Sequence, residues 1–220
     1  MKVSEALIQA GEPLWEEFCH CPFVAGIADG TLEQEKFQFY LVQDYLYLFD
    51  YARLFALGVA KAEKPEAMSY FAAYVSQILN GEMQTHRDYM ARLGITAEEA
   101  ENAEMAAENR AYVDYMLARG WEGGADIIAV SVLACAVSYE YIAKRIVEEH
   151  PKAADHPFFG EWVSSYASEE YAAANRELCE LLDKLTEDCT AAQLERYKEI
   201  FLKCTWHEGQ FWMMGYRGTC

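Results

Sequence analysis

The chain has 220 residues, 53% of them apolar, and a formal charge of −18 at pH 7 from 36 acidic and 18 basic residues. That length fits one domain, and that apolar content supports a sizeable core rather than disorder. So acidic a surface repels phosphate, which argues against nucleic acid and anionic membranes as partners.

The chain carries no segment that we expect to enter a membrane. Four glutamates interrupt the apolar residues of positions 1–18, so this stretch is not a signal peptide. The most apolar stretch, 125–143, is broken by Asp126 and Glu140. Seven cysteines, an odd number, indicate free thiols in a reducing compartment. We therefore predict a soluble, cytoplasmic protein.

Apolar residues recur with helical spacing along nearly the whole chain, and β-strand patterns are sparse. In chain order, the predicted helices are 2–20, a short turn at 22–28, 33–62, 66–92, 97–118, 125–149, 159–185 and 190–216. Turn and capping residues separate them, as at Asp29-Gly30-Thr31 and Lys64-Pro65. The pattern predicts an all-α, single-domain helical bundle over residues 1–220.

Two of these helices carry an acid on an otherwise apolar, inward-facing stripe. Asp44 interrupts such a stripe in helix 33–62, and Glu208 does so in helix 190–216. An unpaired buried carboxylate costs on the order of several kcal/mol, and neither acid has Lys or Arg on its own stripe. The pattern therefore predicts partners from other helices or a polar cavity.

A cysteine and several tyrosines share these inward faces. In helix 125–149, Cys135 lies one turn before Tyr139 on the inward stripe. Each tyrosine combines a flat apolar ring with one hydroxyl. A cavity lined by such rings, two acids and a thiol suits a small flat heterocycle with polar edges. It suits a sugar phosphate poorly, because no basic group is placed for phosphate.

Each of these residues also has an ordinary structural explanation. A cysteine in the middle of a helix is most often core packing, and a stripe of tyrosines alone is core. A single inward acid is more often bonded to a backbone group or an arginine than catalytic. Their joint appearance brings the two explanations close to even, because buried polar positions cluster at functional sites.

Five segments, in their order and spacing, resemble the TenA-type thiaminase II family, also called aminopyrimidine aminohydrolases. They are FQFYLVQDYLYLFDYAR (37–53), EMQTHRDY (82–89), ACAVSYEYIA (134–143), WVSSYASEEY (162–171) and HEGQFWMMGY (207–216). The resemblance extends over essentially the whole chain and implies a fold like that of haem oxygenase, usually as a homotetramer. It implies a hydrolase of thiamin salvage that converts 4-amino-5-aminomethyl-2-methylpyrimidine to the hydroxymethyl pyrimidine and ammonia. Many members also cleave thiamin, and neither a metal nor an organic cofactor is expected.

The same resemblance implies roles for eight positions. Cys135 matches the catalytic cysteine, Glu208 the catalytic glutamate, and Asp44 the acid that holds the amino edge of the pyrimidine. The matching pocket aromatics are Tyr47, Tyr112, Tyr139, Tyr166 and Phe211.

The implied chemistry is covalent catalysis. The Cys135 thiolate adds to a carbon of the electron-poor ring, the amine leaves the exocyclic methylene, water adds there and the thiolate departs. Glu208 protonates or hydrogen-bonds a ring nitrogen, and Asp44 orients the ring. No histidine lies one turn from Cys135, so its activation has to come from tyrosine hydroxyls or from the substrate.

Three other functions are compatible with a helical bundle. A di-iron site normally uses two Glu-x-x-His pairs, whereas this chain has Glu17–His20 and a wider Glu82–His86 spacing that we interpret as a structural hydrogen bond. Haem ligation by His20 lacks basic residues placed for the propionates. A regulatory, non-enzymatic protein would not need every motif residue, and all of them are present.

Overall fold

The computed structural model describes residues 2–219, and within that range it contains helices and loops but no strand. The α-helices are α1 (Val3–Cys19), α2 (Pro22–Asp29), α3 (Gln34–Lys61), α4 (Pro65–Gln77), α5 (Met83–Arg92), α6 (Ala97–Glu101), α7 (Ala107–Glu122), α8 (Ala125–Glu149), α9 (Gly160–Tyr166), α10 (Glu169–Leu185) and α11 (Ala191–Arg217). A π-helical turn, Ile78–Glu82, joins α4 to α5, and a 3₁₀ turn, Ala153–Asp155, precedes α9. The predicted all-α class is confirmed.

Contacts divide the chain into two compact units. Unit 1 contains the residues up to Glu33 together with Ala129–Met213, and unit 2 contains Gln34–Ile128 together with the residues from Met214 onward. Unit 1 thus holds α1, α2, α9 and α10, and unit 2 holds α3 to α7. The single domain over residues 1–220 stays a prediction.

Large aromatic side chains fill the core of unit 1. Trp15 is 1% exposed, and its ring centroid lies 5.5 Å from that of Tyr141 and 6.1 Å from that of Phe201. Phe23 of α2 stacks on Trp212 of α11 at 5.8 Å. Each such ring buries roughly 150–250 Å², so these contacts dominate the packing of the unit.

Helix α3 is the central helix of unit 2, and its predicted inward stripe is buried. The residues of that stripe are each at most 8% exposed: Phe37, Leu41, Asp44, Leu48, Tyr51 and Phe55. The burial of Asp44 within this apolar stripe is confirmed, so its carboxylate requires a partner from another helix.

The predicted helix 97–118 is wrong, because the structure has two helices there, α6 and α7. The side chain of Gln43 on α3 accounts for the break. Its Nε2 donates to the Glu104 carbonyl at 2.9 Å, and its Oε1 accepts from the Ala106 N–H at 2.9 Å. These two main-chain groups are thereby satisfied outside a helix. The segment between the helices has neither glycine nor proline to signal the break.

The predicted helix 159–185 is also two helices, α9 and α10. Ser168 separates them as the N-cap of α10, because its Oγ accepts from the Tyr171 N–H at 3.1 Å. Two glutamates follow it in the first turn, where acids are favourable. This signal was present in the sequence and outweighs the continuous apolar periodicity.

Helix α8 is long and apolar enough to cross a membrane, and no other helix among residues 2–219 is. Within its most apolar window, however, 78% of the residues are buried inside the protein itself. That burial is typical of the core helix of a soluble protein, because such a helix is apolar where it packs against its neighbours.

Candidate functional site

Asp44 lies in the middle of α3 and is 6% exposed. Its partner is His86 of α5, whose Nε2 lies 2.8 Å from Asp44 Oδ2. The Tyr40 hydroxyl donates to the same oxygen at 3.4 Å. Within residues 2–219, no side chain or backbone group donates a hydrogen bond to Asp44 Oδ1. One oxygen of this buried carboxylate is therefore satisfied, and the other is available to a ligand.

The π-helical turn before α5 contributes the second contact of His86. His86 Nδ1 lies 3.0 Å from the main-chain carbonyl oxygen of Glu82, the last residue of that turn. A π turn inserts one extra residue into a helix and is frequent at functional sites. The predicted hydrogen bond between Glu82 and His86 thus exists, but it is made by the main chain of Glu82.

The contacts of His86 determine its charge. Burial lowers the pKa of His86, but the hydrogen bond and charge of Asp44, with the charge and carbonyl of Glu82, outweigh burial and raise that pKa to about 9. A carbonyl oxygen only accepts, so Nδ1 carries a proton, and Nε2 carries the other when it faces a carboxylate. At pH 7 the His86 ring is therefore an imidazolium.

The Glu82 carboxyl lies near this pair. The side chain is half-buried. Burial raises the pKa of Glu82 to about 7, the charge of His86 lowers it, and the charge of Asp44 raises it. Glu82 therefore changes its protonation near neutral pH, whereas the neighbouring His86 stays charged there.

Two of the predicted pocket tyrosines meet in unit 2. The ring centroids of Tyr47 and Tyr112 lie 5.5 Å apart, and both side chains are at most 3% exposed. Tyr47 follows Asp44 by one turn of α3, on the same face. Asn109, one turn before Tyr112, donates to the Gln43 carbonyl at 2.7 Å and so holds α7 at this level of α3.

Helices α8 and α11 lie side by side within unit 1. Ser131 of α8 hydrogen-bonds the Cys204 thiol of α11, and the ring centroids of Tyr139 and Trp212 lie 4.8 Å apart. Tyr139 lies two turns after Ser131 on α8, and Trp212 lies two turns after Cys204 on α11. The two helices therefore run in the same direction over these turns.

Cys135 and Glu208 are the middle residues of that stretch. Cys135 lies one turn from both Ser131 and Tyr139 on α8, and Glu208 has the corresponding position on α11. Glu208 is 2% exposed, whereas Cys135 is half-buried between fully buried neighbours. Burial raises the pKa of the Cys204 thiol, the nearby charge of Glu208 raises it further, and Ser131 lowers it.

The remaining predicted aromatics also belong to unit 1. The ring of Tyr166, at the end of α9, lies 4.8 Å from that of Tyr139, and both pack against Trp162 at 5.0 and 5.9 Å. Phe211, one residue before Trp212, is 3% exposed. The eight predicted residues thus form two groups, each within its own unit, and their roles stay predictions.

Two polar residues that lie beside these groups were not predicted from the sequence. His86 supplies the partner that Asp44 requires, and Ser131 supplies a hydroxyl one turn from Cys135. A signal existed for both residues, because each is a polar side chain at a buried helical position. Helical periodicity cannot say which residue of another helix lies opposite.

The spacing that suggested a di-iron site receives a different explanation. No group of three or more His, Cys, Asp or Glu side chains suited to a metal ion occurs in residues 2–219. His20 pairs with Glu16 rather than Glu17, at 3.7 Å on the surface. His86 contacts the Glu82 carbonyl with one ring nitrogen and the Asp44 carboxylate with the other.

Solved structures with the same arrangement of helices identify the class of protein. A TenA homologue from P. horikoshii OT3 aligns over 100% of both chains with a TM-score of 0.89 and 29% identity. A domain from Shewanella denitrificans described as having a haem-oxygenase-like fold covers 97% of this chain and 91% of its own, with a TM-score of 0.73 and 15% identity. The chain is thus an all-α protein with the haem-oxygenase-like fold.

Sequence comparison then identifies the family. The sequence model of the TENA/THI-4/PQQC family matches residues 8–218, so the chain belongs to that family. An aminopyrimidine aminohydrolase from Helicobacter pylori is 41% identical over 99% of this chain and 100% of its own length. Another, from Halalkalibacterium halodurans, is 42% identical over 98% of this chain and 96% of its own length. The predicted resemblance is confirmed.

Proposed function

We propose that this protein is an aminopyrimidine aminohydrolase of thiamin salvage. It hydrolyses 4-amino-5-aminomethyl-2-methylpyrimidine to the hydroxymethyl pyrimidine and ammonia. The observation that carries this proposal is the identity of 41% and 42% to two aminopyrimidine aminohydrolases over nearly the full length of all three chains. Thiamin is a second substrate of the same chemistry, because its pyrimidine carries a leaving group on the same methylene.

Cys135 is the proposed nucleophile, and Glu208 the proposed acid. The parallel course of α8 and α11 supports this pairing. Cys135 and Glu208 occupy corresponding positions on the two helices, between the Ser131–Cys204 and Tyr139–Trp212 contacts. The partial exposure of Cys135 among buried neighbours also supports it, since a nucleophile must be reachable. The Cys135 sulfur adds to the ring, the amine leaves as ammonia, water adds its oxygen to the methylene, and the carbon–sulfur bond breaks.

Asp44 and the aromatic residues are proposed to bind the substrate. The open oxygen of the buried Asp44 carboxylate supports this role, since an acceptor without a donor suits the amino edge of a pyrimidine. Tyr47 and Tyr112 supply flat surfaces one turn away, and Tyr139 with Tyr166 supplies another pair. Phe211 is proposed to bind the substrate on the family resemblance alone.

The test is ammonia release from the aminomethyl pyrimidine by the purified protein, with thiamin cleavage measured in parallel. We expect Cys135→Ala to abolish turnover, and Glu208→Gln to lose activity while still binding the pyrimidine. Cys179→Ala, a half-buried cysteine on α10, is the matched control and retains activity. Turnover that persists in Cys135→Ala refutes the nucleophile, and a wild-type protein inactive on both substrates refutes the function.

The remaining assignments follow the family resemblance. We propose a cytoplasmic homotetramer in which residues 1–220 form one catalytic domain, without a metal or organic cofactor. The match of the family model over residues 8–218 supports the single domain. Light scattering on the eluted protein tests the assembly, and a mass other than that of four chains overturns it.

A further inference from the structure

We infer that His86 is a positioning residue for the proposed substrate site. Its imidazolium holds Asp44 Oδ2 and so presents Oδ1 as the acceptor for the amino edge of the pyrimidine. The inference rests on the proposed function for the identity of the ligand. It adds a residue, and a reason for the half-paired state of Asp44, that the family resemblance did not supply.

The geometry places both nitrogens of the ring in fixed bonds. Nδ1 lies 3.0 Å from the Glu82 carbonyl at the end of the π turn, and Nε2 lies 2.8 Å from Asp44 Oδ2. A main-chain carbonyl cannot rotate away as a side chain can, so the ring plane of His86 is set by the backbone. The ring in turn sets the rotamer of Asp44, in the way that a second residue orients a metal ligand or a catalytic base.

Both contacts of Asp44 converge on one oxygen. His86 and the Tyr40 hydroxyl each donate to Oδ2, while Oδ1 receives no hydrogen bond from residues 2–219. An amino group is a donor, so the oxygen that suits it best is one that carries no proton. The His86 ring on Oδ2 compensates a charge that would be costly if left unpaired on a side chain that is 6% exposed.

The charge of His86 is set by few groups. Asp44 and Tyr40 face the pair from α3, and the carboxyl and carbonyl of Glu82 face it from the π turn. Asp44 and Glu82 favour the imidazolium, and burial opposes it. With its pKa raised to about 9, the His86 ring stays charged at neutral pH.

The first experiment separates positioning from a structural role. We expect His86→Leu to raise KM for the aminomethyl pyrimidine at least tenfold and to change kcat less. In an Asp44→Asn background the same change should add less than threefold, because His86 acts through Asp44. His20→Leu, which removes an exposed histidine, is the control and leaves KM unchanged. Equal KM in wild type and His86→Leu, or a full additional loss in the double variant, overturns the inference.

The second experiment needs neither a variant nor activity. ¹⁵N NMR of the unliganded wild-type protein reports the protonation of each imidazole. We expect both nitrogens of His86 to be protonated at pH 7, while the exposed His20 serves as the reference. A neutral His86 ring at pH 7 overturns the inference. A wild-type protein that releases no ammonia and binds no pyrimidine refutes the proposed function instead and leaves this measurement valid.

Discussion

Two aspartates on α3 are equally buried and differently paired. Asp44 and Asp50 are each 6% exposed. Asp50 uses both oxygens, Oδ1 with Arg53 Nη1 at 2.5 Å and Oδ2 with Arg110 Nη1 at 3.4 Å. Asp44 receives both of its contacts on Oδ2, from His86 and Tyr40.

This difference separates an acid that stabilises the fold from one that is available to a ligand. The two arginines of Asp50 complete its coordination, and their guanidinium groups extend into solvent, with side chains 65% and 52% exposed. The histidine of Asp44 is enclosed and leaves one acceptor open. Burial alone therefore does not mark a site, whereas a buried side chain with one oxygen left to a ligand is a candidate.

The largest difference between the two aspartates is expected in catalysis. We expect Asp44→Asn to lower kcat/KM about 1000-fold, on the order of 4 kcal/mol of transition-state stabilisation, because an amide cannot accept at both positions. Asp50→Asn should change kcat/KM less than threefold. Steady-state ammonia release by both variants is the measurement, and equal losses would contradict the distinction.

The next largest effect is the pH dependence of the stability that the Asp44–His86 pair contributes. The pKa of His86 is raised from 6.5 to about 9, so the stability contributed by its pairing is fully present below pH 6.5 and is lost as pH rises through 9. The shift corresponds to a contribution on the order of 3 kcal/mol. Urea unfolding of wild type and His86→Gln should therefore show a difference at pH 6 that shrinks by that amount at pH 10.

The pair at Asp50 provides the control for this titration. An arginine keeps its charge throughout that range, so the difference between wild type and Arg53→Gln should be the same at pH 6 and pH 10. A difference that shrinks equally in both variants would assign the pH dependence to the whole protein rather than to His86.

A smaller effect is expected at Glu82, the carboxyl beside the Asp44–His86 pair. Burial raises the pKa of Glu82 from 4.5 to about 7, so stability is lost as pH rises from 4.5 through 7. Glu82→Gln removes that loss. Because the half-buried Glu82 side chain is partly screened by solvent, we expect the variant to raise the free energy of unfolding by on the order of 2 kcal/mol at pH 8, less than the full shift would give, with no gain at pH 4. Denaturant titrations at the two pH values measure it, and a destabilised variant at pH 8 contradicts it.

The smallest effect is the stability contribution of the Asp50 pairs. Because both arginines are half-exposed, their attraction to Asp50 is screened by solvent, and Asp50→Asn should cost on the order of 1 kcal/mol. Added salt should reduce that cost. A loss above about 3 kcal/mol in urea unfolding would place Asp50 with the enclosed pairs instead.

The helical class of the chain and the faces that its helices bury follow from the sequence alone. The stripe of α3 with Asp44 in it follows from the 3.6-residue period, and so do the inward positions of Cys135 and Glu208. The resemblance identified the family, because it rests on the order of motifs along the chain. The Ser168 cap is a local sequence signal too, a serine followed by two glutamates, and apolar periodicity alone does not detect it.

The tertiary structure alone decided which residue of one helix meets which residue of another. The break before α7 depends on Gln43 of α3, the partner of Asp44 comes from α5, and the pairing of Ser131 with Cys204 joins α8 to α11. Periodicity specifies the direction in which a side chain points, but the register between helices depends on packing and on long-range hydrogen bonds. For that reason the eight candidate residues could be proposed from the sequence and its family resemblance, whereas the open oxygen of Asp44 could not.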